Sequence, residues 1–274
     1  VARDVLLRIV SAALAALACG CGASAPGGGS GTLAGAGRAE RGGPPYAIVF
    51  RPAVGATWRL QTAIEFQAAT AAPARVETET VHRVLAVDEA GLRVVETRCE
   101  AVRLTAPVAT PQACFPPATS LLDGAARPHA PREAEVMAGV VEHAHPVFLA
   151  YPPRAVMVGE TWHDVMRWRE PGATDRFSVD ANYTLVSVTP RGDDLDAVVR
   201  MTGALTVTDG RDVPASERGG GEGRMTAEFV LEMSDGFLRE TSFDMDFVIR
   251  IPAAEGGGVA PARTRMVVRG ERAP

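Results

Sequence analysis

The chain has 274 residues, of which 46% are hydrophobic and 22% charged, and its formal net charge is -5. These are ordinary globular values with enough material for one large or two small domains. No lysine is present, so all side-chain positive charge beyond histidine is arginine. That removes P-loop phosphate binding and Schiff-base catalysis, which both need a lysine amine, and the acidic balance argues against nucleic acid as a partner.

At the amino terminus Arg3 and Arg8 lead into an apolar run from Ile9 to Ala18. The run is shorter than the about 20 residues that span a bilayer. A basic start, an apolar middle and small residues before a cut predict a signal peptide over residues 1–18. The sequence Leu14-Ala15-Ala16-Leu17-Ala18-Cys19-Gly20 resembles a bacterial lipobox. The resemblance implies that Cys19 is lipidated and that the chain is exported and lipid-anchored to the cell envelope, with the membrane as a partner. Because Gly20 rather than aspartate follows the cysteine, it also leaves the outer membrane open as the destination. Residues 19–45 are then the lipidated cysteine and a flexible linker, since Gly22 to Pro45 is mostly Gly, Ala, Ser and Pro with little to bury.

Two of the four cysteines, Cys19 and Cys21, sit at this junction. Cys99 and Cys114 flank a stretch broken by Pro107 and Pro111, and an exported protein permits a disulfide between them. The alternative is a pair of buried free thiols.

A short pattern occurs twice, as Val54-Gly55-Ala56-Thr57-Trp58 and as Val158-Gly159-Glu160-Thr161-Trp162. Each copy follows prolines and precedes strand-like alternation. Glycine permits a turn, threonine suits a strand, and the indole supplies large apolar area, so Gly55, Gly159, Trp58 and Trp162 are expected to set the core of two β repeats. The first is assigned to residues 46–150 and the second to 151–274, together forming one compact unit.

In the first repeat, Trp58, Leu60, Ile64 and Phe66 alternate with Arg59, Gln61 and Glu65, which predicts a half-buried strand. A β-branched segment from Arg75 to Val87 follows, with a bulge or a change of burial near Val81 to Val84. Asp88-Glu89-Ala90-Gly91 predicts a hairpin turn before a return strand from Leu92 to Leu104. Residues 105–150 are the least readable; Pro131 to Glu135 opens a short helix or feeds a strand from Val136 to His143, and the choice stays open.

The second repeat predicts a short strand from Trp162 to Trp168, then alternating segments through Phe177–Leu185, Leu195–Val207, Met225–Met233 and Phe243–Ile251, and a last strand at about Thr264 to Arg269. Val81 to Val87 aligns with Asn182 to Val188. Turn signals every ten or so residues and the lack of long amphipathic helices predict a mainly antiparallel all-β fold, as a curved sheet, half-barrel or sandwich.

Candidate chemistry is sparse. His143-Ala144-His145 would place two imidazoles on one strand face, but no carboxylate or thiol is evidently paired with them. Asp193, Asp194 and Asp196, or Asp244 and Asp246, could gather oxygen ligands for calcium, but they read as a hairpin turn and a polar strand face. Gly219 to Gly223 lacks the strand–turn–helix setting of a nucleotide loop and reads as a mobile loop. Neither G-x-S-x-G nor H-E-x-x-H occurs. No catalytic residue, metal site or cofactor is therefore assigned.

The paired Val-Gly-x-Thr-Trp motifs, their prolines and the Gly-x-Gly…Asp-Gly-Phe-Leu pattern resemble a large group of uncharacterised bacterial envelope lipoproteins. At the level of fold the chain is also similar to lipoprotein-carrier half-barrels of the LolA/LolB type. These resemblances bear on architecture and not on activity; the leading reading of the whole chain is a non-enzymatic binding or scaffolding module with an envelope protein as partner. The alternative is a carrier or sensor of a lipid or other hydrophobic ligand, for which methionine-rich walls would be suited. An enzyme with an unrecognised site is the third reading.

Overall fold

Ten strands account for the regular structure of the computed structural model, which describes residues 44–68, 73–105, 114, 117–124, 149–168, 176–210, 219–250 and 257–273. They are β1 (Thr57–Ala68), β2 (Ala74–Val87), β3 (Arg93–Thr105), β4 (Ala118–Leu122), β5 (Thr161–Trp168), β6 (Arg176–Arg191), β7 (Asp194–Thr208), β8 (Gly220–Glu232), β9 (Phe237–Arg250) and β10 (Val259–Arg272). All pairings are antiparallel, and the strands form one open sheet in the order β4-β3-β2-β1-β10-β9-β8-β7-β6-β5. Among the described residues there is no helix. The expected all-β class holds.

Alternation places one set of side chains on a buried inner face. In β1, Trp58, Leu60, Thr62 and Ile64 are buried. Directly opposite residues share a face, so the pairs Ile64–Met266, Met266–Phe243, Phe243–Ala227, Ala227–Met201 and Met201–Tyr183 carry the core across six strands. The outer face is held by cross-strand ion pairs such as Arg75–Glu65 at 2.7 Å and Arg200–Glu228 at 3.1 Å. These are largely exposed, and such pairs contribute little each.

Tight turns close one end of the sheet. Asp88 makes the β2–β3 turn with its own carboxylate, whose Oδ1 accepts from the backbone N–H of Ala90 at 2.9 Å and of Leu92 at 2.8 Å. The β6–β7 turn uses Gly192 and the β8–β9 turn uses Gly236, both at positive φ.

Two extended segments, around 44–56 and 149–160, fill the inner face at this end. Tyr46 and Val156 bridge them with N–H···O bonds of 2.8 and 2.9 Å. Phe50 donates its N–H to the Gly124 carbonyl at 2.9 Å, and Arg51 donates to Asp235 at 2.8 Å. Ile48, Phe50, Leu149 and Tyr151 are all buried in the same cluster as the strand residues. The Tyr151 hydroxyl donates to the Gly236 carbonyl, and burial, with the nearby Asp235 charge, raises its pKa well above the usual phenol value. These segments do the filling that helices would otherwise do.

The two Val-Gly-x-Thr-Trp copies adopt the same geometry. Gly55 has φ 85° and Gly159 φ 86°. The Gly55 N–H donates to Val84 at 2.9 Å, and the Gly159 N–H donates to Leu185 at 2.7 Å. Trp58 stacks on His82 with centroids 5.5 Å apart, and Trp162 stacks on Tyr183 at 5.6 Å. A register shift follows each time, between Val84 and Ala86 and between Leu185 and Ser187. The bulge expected near Val81–Val84 thus lies just past it, and it is matched in β6.

Three sequence expectations are revised. β4 lies in the stretch that had no clear reading. The last strand runs from Val259 to Arg272, well beyond Thr264–Arg269. Gly220 to Gly223 belong to β8 and pair with both β7 and β9, so they are not a loop. Gly221 and Gly223 are glycine because the Phe247 ring lies over them: a Cβ on Gly223 would meet Phe247 Cδ2 at 2.7 Å and the Asp246 carbonyl at 2.8 Å, whereas one on Gly220, at φ 134°, would meet the Val207 carbonyl at 2.5 Å.

Candidate interaction surfaces

The inner face offers little room at the closed end. Between Phe50, Trp58, Tyr151 and Phe237 lies a hollow of about 20 Å³. That is space for about one water molecule. Trp58, from the first motif, meets Phe50 edge-on at 6.2 Å and Phe237 at 6.5 Å. Trp162, from the second, donates its indole N–H to the Ala150 carbonyl at 2.9 Å. Both motif tryptophans are therefore core groups.

Beside this hollow is the densest group of charges. The Glu232 carboxylate is 9% exposed. It accepts from Arg272 at 2.7 Å and from Arg239 at 3.0 Å. Asp235 accepts from Arg272 at 2.9 Å, and Arg239 Nε lies 3.2 Å from Asp196. Arg272 also covers the Phe237 ring at 5.0 Å. Glu232 and Asp235 are thus neutralised by arginine, and the adjoining hollow admits no substrate. The group works as a clasp that holds β10 to the β8–β9 turn.

The larger concavities are at the opposite end of the sheet. One, of about 860 Å³, runs across β7, β8, β9 and β10 to Gln67 of β1. Its outward side chains include Thr206, Glu222, Arg224, Val248, Pro261 and Arg263. A second, of about 510 Å³, shares Gln67 and Arg263 and adds Glu65, Arg75, Asp244 and Arg265. Arg263 is 3.5 Å from Asp244 and 3.7 Å from Asp246. The first groove is within the size of ligand pockets, and its walls combine charges of both signs, on Glu222, Arg224, Asp246 and Arg263, with apolar groups from Leu205, Phe247, Val248, Pro261 and Ala262.

An apolar patch surrounds the first motif turn. Val54 is 59% exposed, and Leu85 and Val87 of β2 are 42% exposed. Their counterparts in the second copy, Val158, Val186 and Val188, are half-buried.

The remaining candidates fall elsewhere. Cys99 and Cys114 are bonded, with Cα atoms 5.4 Å apart. Asp194 and Asp196 flank the β6–β7 turn; Asp194 bonds the Leu195 N–H at 2.7 Å and Asp196 pairs with Arg191 at 3.3 Å. Asp244 and Asp246 face Arg263 rather than converging on a cation. Among the described residues no three His, Cys, Asp or Glu side chains group as metal ligands. Cys19, Cys21, His143 and His145 lie outside the described residues. His163 is exposed on β5 and meets Asp180 at 2.9 Å. His82 is buried between Thr80 at 2.8 Å and Thr97 at 3.0 Å. Sequence reading missed the grooves because their walls come from five strands.

No family model, curated protein or solved structure matches this chain. What it does is therefore argued from its own surfaces.

Proposed function

We propose that the protein is a non-enzymatic binding or scaffolding module, exported and tethered to the cell envelope through lipidated Cys19 and the linker to residue 45, and that it engages an envelope protein through its outer face. One observation carries the reading. At the closed end the inner face is filled by Ile48, Phe50, Leu149 and Tyr151, leaving a hollow of about 20 Å³, whereas the groove of about 860 Å³ lies at the opposite end with Glu222, Arg224 and Arg263 in its wall. A carrier of hydrophobic ligands would need an enclosed apolar cavity in place of that filling. The resemblance to lipoprotein-carrier half-barrels lies in the expected export address and the curved antiparallel sheet, and their cargo function is not part of the proposal.

The test is site-specific photo-crosslinking in cells from Val248, in the wall of the groove. The reading expects an adduct with a discrete envelope protein, reduced by Arg224→Glu. Adducts with lipid alone would contradict it.

A further inference from the structure

The two motif copies differ in what lies beside them. β1 has β2 on one side and β10 on the other; β5 has β6 on one side, and among the described residues no strand pairs with its other edge. Trp58 and Trp162 fix the correspondence, which the stacked rings, the paired glycine bonds and the matched bulges support. The open edge of β5 therefore corresponds to the edge of β1 that β10 occupies over eleven register positions, from Trp58–Arg272 to Ala68–Ala262.

We propose that the β5 edge accepts an antiparallel strand from a protein partner, in the place that β10 takes on β1. The proposal rests on the reading of the chain as a protein-binding module and names the partner's chemistry. An exposed edge offers unpaired backbone donors and acceptors, which is the basis of recognition by strand addition. Side chains then set the choice. The outward residues of β5 are Thr161, His163, Val165 and Arg167, and Arg167 makes no ion pair among the described residues. The equivalent of Glu271 would face His163 and that of Val267 would face Arg167. The fitting strand carries acidic residues outward and apolar residues inward, toward Met166.

A second copy of the chain fits poorly. Pairing β5 with itself about Val165 leaves Arg167 opposite His163 with no carboxylate to meet it, and pairing it about Asp164 sets that carboxylate against its own copy. Like charges directly opposite destabilise an antiparallel pair.

The experiment uses the full chain in detergent and a synthetic peptide of the β10 sequence, residues 259–272, carrying Val267→Glu. Hydrogen exchange is followed over residues 161–168. Slowed exchange in that segment on adding peptide is expected. Arg167→Glu should weaken binding about fivefold, and a peptide carrying Val267→Arg should restore it. Absence of protection at saturating peptide would overturn the proposal. So would amides of 161–168 that are already protected without peptide, or protection that depends on protein concentration alone, which would assign the edge to this chain or to its copy. A null result here, with the crosslink at Val248 intact, would remove the edge and leave the binding module standing.

Discussion

Trp58 lies flat on His82, with ring planes 5° apart, while both imidazole nitrogens are held by threonine hydroxyls of Thr80 and Thr97. The corresponding pair, Trp162 on Tyr183, has planes 15° apart. Each indole starts its strand and seals the closed end of the inner face. Trp162→Ala should destabilise the fold by about 3–5 kcal/mol, and Trp58→Ala by a similar amount, as for large aromatic deletions in a packed core. Urea unfolding of the variants measures this. A loss below about 1 kcal/mol, the level of an ordinary surface change, would show that the indole is not a core group.

Gly55 and Gly223 are glycine for different reasons. A Cβ at Gly55 would meet nothing within 4 Å, so Gly55→Ala costs only the strain of φ 85°. About 1–2 kcal/mol is expected. Gly223→Ala instead drives a methyl into the Phe247 ring and the Asp246 carbonyl. Phe247→Ala should recover part of that loss and should recover nothing for Gly55→Ala. A double-mutant cycle separates the two causes.

The second motif has a clip that the first lacks. Glu160 accepts from Arg154 and from the Met157 N–H at 2.9 Å, whereas the corresponding residue of the first copy is Ala56. Arg154, and then the Met157 N–H, hold the Glu160 carboxyl below its usual pKa. A carboxyl lowered in the folded state adds stability above its unfolded pKa, and that stability is lost as pH falls through the folded value. Glu160→Gln should therefore lower Tm at neutral pH, and the difference from the parent should shrink below about pH 4, near the unperturbed glutamate range. A difference that does not vary with pH would place the effect in packing rather than charge.

The Cys99–Cys114 bond closes a separation of 15 residues. Replacing both by serine should cost about 3 kcal/mol in the chain-entropy model. Denaturation of the double variant, compared with the oxidised parent and with the reduced parent as control, tests this; equal stability of oxidised and reduced parent would contradict it.

Much of the sheet was legible because apolar and polar residues alternate along β1, β6, β7 and β9. The turn at Asp88 was legible because its carboxylate makes the turn by itself. Other parts were not, for identifiable reasons. Thr78, Thr80, His82 and Thr97 are buried, so polarity misreports the inner face of β2 and β3; the hydroxyl–imidazole bonds of Thr80 and Thr97 to His82 make the burial of those three tolerable. β4 has five residues and no alternation. Gly220 to Gly223 look like a loop in any local reading, and only neighbouring strands explain their glycines: the Phe247 ring over Gly221 and Gly223, and the Val207 carbonyl beside Gly220. The segment around Tyr151 reads only as a proline-containing approach to the second motif, yet it packs in the core against the inner face of the sheet. The grooves draw on five strands, and no local pattern marks them.

The most direct test of the central claim is native mass spectrometry of residues 45–274 produced in a periplasm, before and after organic extraction. A filled inner face predicts one bare mass in both samples, lighter than the reduced chain by the two hydrogens of the Cys99–Cys114 bond. A co-purifying mass that extraction removes would contradict the account and make the protein a carrier of a hydrophobic ligand.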